Sequence, residues 1–278
     1  MEFIKTINPI EICDIGASPI DKTKFIDNLM DNTNSYLYGF EPNKDEFIKL
    51  KNEKNKKYFN FAIGDGEEKI LNICQSAGMS SFLKPDLEYL KLFHWFEEAS
   101  KILSQQSVKT KKLDDIEFKN NIDFFKIDVQ GYESEIIKFG NNKIKNSLVI
   151  QLETSPIPLY ENEKSFSFIC NQLENLGFNL HMFNNIDTRC FKPTLIDNNP
   201  RKGINHLFQL DCVFIKNFSE INKLSEEQLK KIILILFHSF KSYDIVDLLI
   251  AKLDKKTNKN YTNLFRNFMK NQKIDIPY

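Results

Sequence analysis

The sequence has no excess of charge: 38 basic residues meet 38 acidic ones in a chain of 278. A balanced chain projects no global field toward phosphate backbones, which argues against nucleic acid as its main partner. The densest basic run, Lys49 to Lys57, reads as a solvated helix end and loop. Cysteine is sparse. Cys13, Cys74, Cys170, Cys190 and Cys212 show no Cys-x-x-Cys spacing, and an odd count speaks against a disulfide framework. Reduced thiols in a cytoplasmic protein are the expectation. Long apolar runs are missing too. The most apolar one, Ile232 to Phe237, is far too short to span a bilayer. Met1 to Ile10 lack a basic start, an apolar core and a small-residue cleavage site, so no secretory signal is expected there. No internal repeat is present. No His/Cys ligand set stands out, so no metal site is predicted, although Asp128 and Glu153 are of the type that offers oxygen ligands.

Apolar residues make up 41% of the chain and aromatics 13%, mostly Phe, enough for a packed core. The first two-thirds alternate short apolar runs with amphipathic stretches, the signature of an α/β fold with a mostly parallel sheet. Strands are predicted at Ile10–Asp14, Tyr36–Glu41, Tyr58–Ile63, Asp123–Asp128, Leu148–Leu152, Phe178–Phe183 and Gln209–Ile215. Several are unbroken apolar runs, as strands covered on both faces should be. Helices are predicted at Lys22–Asn32, Lys44–Asn52, Gly131–Phe139 and Ser165–Leu176. Residues 67–115 interrupt the rhythm with an extra strand at Lys69–Cys74, a Ser/Gly/Met loop and a helix near Asp86–Ala99. Residues 186–206, rich in Asn, Asp and Pro, read as a loop long enough to suggest function. From Ser219 the pattern becomes helical, beginning with a capping box at Ser225 and Gln228. The expected division is a domain over 1–218 and a helical extension over 219–278. Its apolar face must pack on the main domain or on a second chain, which would make a homodimer.

The first strand runs into Ile15-Gly16-Ala17-Ser18, a turn whose glycine lets a ligand approach the backbone closely. Glu41 ends the next strand, where an acid can accept both hydroxyl hydrogens of a ribose. Both belong to the carboxyl edge, where ligands bind in doubly wound sheets. Together they favour an adenosine-containing cofactor, with NAD-type dinucleotides and S-adenosylmethionine both open. The turn lacks the full G-x-G-x-x-G pattern. Asp14 beside it suits the cationic amine of a methionine moiety better than a pyrophosphate. Asp65, closing Ala62-Ile63-Gly64-Asp65, is a partner for the adenine amine, a turn residue of Asp65-Gly66, or both at once.

The most distinctive stretch is Lys126-Ile127-Asp128-Val129-Gln130-Gly131-Tyr132-Glu133. With Asp14-Ile15-Gly16-Ala17, Gly39-Phe40-Glu41-Pro42 and Ala62-Ile63-Gly64-Asp65, it resembles the FkbM family of methyltransferases, over about residues 11–140 well and 147–216 more loosely. Gln130 stands where the family carries Glu, and Glu133 keeps the second family Glu. The resemblance implies a class I methyltransferase fold: a Rossmann-like, seven-stranded, mostly parallel sheet whose last strand is antiparallel. It implies S-adenosylmethionine as cofactor, held by Asp14, Gly16, Ala17, Ser18, Glu41, Pro42, Ile63, Asp65 and Asp128. The implied acceptor is a hydroxyl of a sugar, glycan, glycolipid or other natural product. Asp128, Glu153 and His206 are the candidates for handling the acceptor proton, and Lys126 shares strand parity with Asp128. The Gly78-Met79-Ser80-Ser81-Phe82 loop is expected to line the pocket through Ser80 or Ser81. A non-catalytic binding module on the same fold is the competing reading.

Overall fold

The computed structural model describes residues 1–19 and 23–272. Among these residues ten strands form: β1 Ile10–Ile15, β2 Ser35–Phe40, β3 Lys56–Phe59, β4 Ala62–Ile63, β5 Glu68–Cys74, β6 Ile102–Lys111, β7 Phe124–Ile127, β8 Val149–Thr154, β9 Phe178–Thr188 and β10 Leu207–Lys216. Seven of them make the main sheet in the order β3-β2-β1-β7-β8-β10-β9, and β4-β6-β5 make a small side sheet. The first five strands of the main sheet run parallel, and β10 is antiparallel to both β8 and β9. This is the class I topology expected. The order reverses between β1 and β7, the switch point where a crevice opens at the carboxyl edge.

Side chains alternate between two apolar layers. On one face Ile10, Ile12, Phe124, Val149, Val213 and Ile215 pack in one core with the helix Lys24–Asn32 and the C-terminal helices. On the other, Cys13, Ile15, Phe125, Ile150, Leu152 and Phe214 meet the helices Glu133–Phe139, Asn141–Asn146 and Phe166–Asn175. The C-terminal helices are Glu226–Phe240, Tyr243–Thr257 and Tyr261–Asn271. Ser225 and Gln228 form the reciprocal capping box that starts the first of them. The apolar face of these helices packs on the main domain. Among the described residues no helix is long and apolar enough to cross a membrane.

Several boundaries differ from the sequence reading. The expected strand Tyr58–Ile63 is two strands in two sheets, broken where Asn60 Nδ2 donates to the Glu41 and Pro42 carbonyls at 2.8 and 3.2 Å. The helix expected over Lys44–Asn52 stops at Phe47. The one near Asp86–Ala99 is two short helices, Leu87–Leu90 and Phe96–Ala99, separated at Trp95, whose φ is 74°. β9 runs on to Thr188, so the long loop begins later than expected. Lys22 and residues 273–278, parts of the predicted first helix and of the extension, lie outside the described residues.

Candidate active site

A cavity of about 510 Å³ opens over the carboxyl ends of β1, β2, β7 and β8, within the ~300–1,000 Å³ range of small-molecule pockets. Gly16 forms part of its floor. Its φ is +84°, and a Cβ there would lie 1.8 Å from the Asp128 carbonyl oxygen. Both the turn and the contact between β1 and β7 therefore require glycine. The Gly16 and Ala17 N–H groups donate to the Phe40 carbonyl at 3.0 and 3.1 Å, so these two donors lock the turn onto β2. What Gly16 offers the cavity is space.

Glu41, Pro42, Phe40 and Ile63 line the neighbouring wall. Glu41 is buried, and its Oε1 accepts the Asn43 N–H at 2.7 Å. Burial pushes its carboxyl up to about 7, against the pull of that hydrogen bond. Asp14 lies just beneath, outside the lining and buried, with Oδ1 3.3 Å from Lys126 Nζ. Burial raises its carboxyl and the lysine opposes the rise. Lys126 also reaches Asp128 Oδ2 at 3.5 Å and donates to the Gly16 carbonyl at 3.2 Å. The parity read from the sequence does bring the lysine to Asp128.

Between β7 and β8 the side chains form a relay of hydrogen bonds. Gln130 Nε2 donates to Asp128 Oδ1 at 2.8 Å and to Glu153 Oε2 at 2.7 Å. Gln209 Nε2 donates to that same Glu153 oxygen at 2.9 Å. The Tyr160 hydroxyl donates to Gln130 Oε1 at 3.0 Å and so sets which end of the amide faces the acids. The backbone is held as firmly. Gln130 has φ 56° and Gly131 φ 92°, while Ser81 Oγ donates to the Gln130 carbonyl at 2.6 Å. Glu133 Oε1 accepts the Val129 and Gly131 N–H groups at 3.0 and 3.3 Å, with its carboxyl pushed up to about 8 by burial. Glu133 thus shapes the loop from behind. Among the described residues no set of metal-ligating side chains converges; an amide stands between the two acids.

Of the residues singled out in the sequence, Gly16, Ser18, Glu41, Pro42, Ile63, Asp128 and Glu153 line one cavity, and Ser80 and Ser81 join them. Ala17, Asp14, Asp65 and His206 do not. Asp65 has a turn's contacts: it accepts from Glu67 N at 3.0 Å and Thr110 Oγ1 at 3.3 Å, and pairs with Lys69 at 2.5 Å. His206 is held among Phe93 and Phe191, with Nε2 2.7 Å from the Tyr89 hydroxyl. Its imidazole is spent on packing. Sequence reasoning passed over Trp95, Asp187, Arg189, Arg201 and Gln209, which also line the cavity. One signal was available: Trp95 is the single Trp of the chain, and Arg189 and Arg201 are two of only three Arg.

Residues 14–180 match the family model of the methyltransferase FkbM domain. No curated protein matches the chain significantly. Among solved structures, the chain is similar to magnesium protoporphyrin IX methyltransferase from Synechocystis PCC 6803 with bound SAM, at 9% identity and a TM-score of 0.36, covering 75% of this chain and 71% of that one. A putative methyltransferase from Thermoplasma acidophilum gives 8% and 0.38, covering 76% and 70%. TYW2 of M. jannaschii in complex with AdoMet gives 12% and 0.31, covering 78% and 74%.

Proposed function

The chain belongs to the FkbM family of S-adenosylmethionine-dependent methyltransferases, and on that premise we propose that it methylates a hydroxyl of a sugar, glycan or glycolipid-type acceptor. The observation that carries this reading is the pair of carboxylates, Asp128 and Glu153, bridged by one amide inside the cavity. A hydroxyl must lose its proton as it is alkylated, and a positioned carboxylate is suited to receive it.

The cavity residues fit the cofactor. Glu41 is a buried carboxylate at the end of β2, able to accept two ribose hydroxyls, and Phe40 and Ile63 supply apolar walls for a base. Gly16 leaves room where any side chain would collide. Asp14, paired with Lys126, lies outside the cavity lining and would act on the methionine moiety only through its charge. When bound, the cofactor supplies a methyl group on a sulfonium. The chain's part is to align the acceptor oxygen, exclude water and take the proton, and alignment alone is worth ~7–11 kcal/mol. Glu153 is the stronger candidate for the proton: its Oε2 is occupied by two amide donors, which fixes the orientation of the carboxylate. Asp128 is tied to Lys126 and serves in orienting.

The test joins calorimetry with a methyl-transfer assay on carbohydrate acceptors. Intact protein should bind S-adenosylmethionine, and Glu41→Ala should weaken binding by about 10–100-fold, the loss of one or two hydrogen bonds to a charged acceptor. Intact protein that fails to bind the cofactor would sink the proposal. So would turnover confined to non-hydroxyl acceptors.

A further inference from the structure

We propose that the end of the cavity under the long loop is an anion subsite, so that the acceptor is an acidic molecule bearing a carboxylate or phosphate near its reacting hydroxyl. The inference rests on reading the cavity as the methyl-transfer site. It begins in composition. Only three of the chain's 38 basic residues are Arg, so Lys supplies nearly all of its positive charge. Yet Arg189 and Arg201 both line this one cavity, beside the only Trp. Arginine differs from lysine where a planar, weakly hydrated fork must grip an oxyanion with two parallel bonds.

Arg189 is buried, 7% exposed, in a wall of Phe96 and Phe208. Nη1 donates to the Thr188 and Arg201 carbonyls at 2.8 and 3.1 Å, and Nη2 to Asp187 at 3.0 Å. Nε has no hydrogen-bond partner among the described residues. A buried donor without a partner is destabilising, and an acceptor brought to it removes that cost. Arg201 is exposed, its guanidinium 5.2 Å from the centre of the Trp95 ring. Among the described residues it forms no salt bridge with a carboxylate. Asp187 therefore pairs with one of the two guanidinium groups, and that of Arg201 lines the cavity with no carboxylate bonded to it among the described residues.

Sheet order gives the subsite its place. Glu41 ends β2, Asp128 and Glu153 lie at β7 and β8, and Arg189 follows β9 at the far side. Asp187 pairs in register with Gln209, whose amide holds Glu153. The anion subsite is thus one side chain away from the proposed base, on the side opposite Glu41. Trp95 offers a sugar ring a flat apolar face beside the charge. A neutral sugar satisfies the Trp and leaves the Arg201 guanidinium without an anion.

The experiment uses the intact chain with S-adenosylhomocysteine, titrated at fixed ionic strength with matched ligands: glucuronate against glucose, galacturonate against galactose, and glucose 6-phosphate against glucose. At least one charged member should bind roughly 10-fold tighter than its neutral counterpart, as a charge-assisted bidentate contact requires. Arg201→Met should erase that difference and Arg201→Lys restore only part of it. Arg201 is exposed, so neither change threatens the fold. The carboxylate and phosphate arms distinguish the two sources of charge. Equal binding of charged and neutral members, or none by any, with the cofactor product bound, overturns the anion subsite and leaves the methyltransferase intact. Absence of binding by S-adenosylhomocysteine itself defeats the reading of the cavity, and the subsite with it.

Discussion

Gln130 carries more of the site than its chemistry suggests. A neutral amide between two carboxylates donates to both and repels neither. A glutamate there would put three acids around one point, and Coulomb repulsion would raise at least one of their pKa values. We predict that Gln130→Glu lowers kcat/KM at neutral pH by about 10–100-fold, the loss of one or two hydrogen bonds to charged acceptors. Activity should partly return on acidification, as the new carboxyl gains a proton it can donate. A pH–rate profile of unchanged shape would show that the amide only fills space. Glu41 makes a second pH prediction. Its carboxyl sits near 7 in the folded protein, raised by burial, and ribose hydroxyls donate to the ionised form. Affinity for the cofactor should therefore be full above that value and fall by about ten-fold between pH 8 and pH 6, one decade per pH unit below the pKa. Calorimetry across that range checks it, and an acid-side increase in affinity would refute it.

At the level of elements, legibility followed burial. The strands β1, β2, β7 and β8 are apolar on both faces because helices cover both, and such runs stand out in a sequence. β6 was missed for the opposite reason. Its Ile102–Lys111 is mostly exposed and polar, and it is a strand because β5 and β4 pair with it. The site divided along the same line. Asp128, Glu153 and Glu41 end parallel strands, so reading the strands located them. Arg189 and Arg201 come to the cavity through a loop that folds back on β9, where Gly203 packs so closely that a Cβ would lie 2.2 Å from the Arg189 nitrogen. No periodicity encodes that return. The turn after β1 is different, since its geometry is dictated by one residue. Gly16→Ala combines positive φ with a collision against the backbone of Asp128. It should cost about 1–3 kcal/mol of stability through strain alone and abolish cofactor binding. Thermal unfolding beside calorimetry measures both, and wild-type values would refute the argument.

The whole molecule depends on a layer that the family resemblance does not reach. The face of the sheet bearing Ile10, Ile12, Phe124, Val149 and Val213 has the nine-residue helix Lys24–Asn32 over one part. The C-terminal helices cover the rest, with Phe240 stacked on Phe25 at 5.8 Å. We therefore propose that the described residues from 219 to 272, although they begin a new sequence pattern, fold as one unit with the domain before them. A buried ion pair fastens the two. Lys231 Nζ lies 2.7 Å from Asp123 Oδ2, an oxygen that also accepts the Glu11 N–H at 2.9 Å at the edge of β1. Burial raises the Asp123 carboxyl and Lys231 opposes the rise. Lys231→Met would strand the carboxylate in apolar surroundings, at a cost of about 3–5 kcal/mol. The penalty should grow with pH, because only the ionised form suffers from losing its partner, and shrink near pH 5 as the stranded acid takes up a proton. Asp123→Asn combined with Lys231→Met should recover much of the loss, since no charge then remains to be buried. Denaturant unfolding at pH 5 and pH 8 decides the matter. A single transition that moves with Lys231 is expected, whereas two transitions, with only the later residues responding, would make the helices a separate domain.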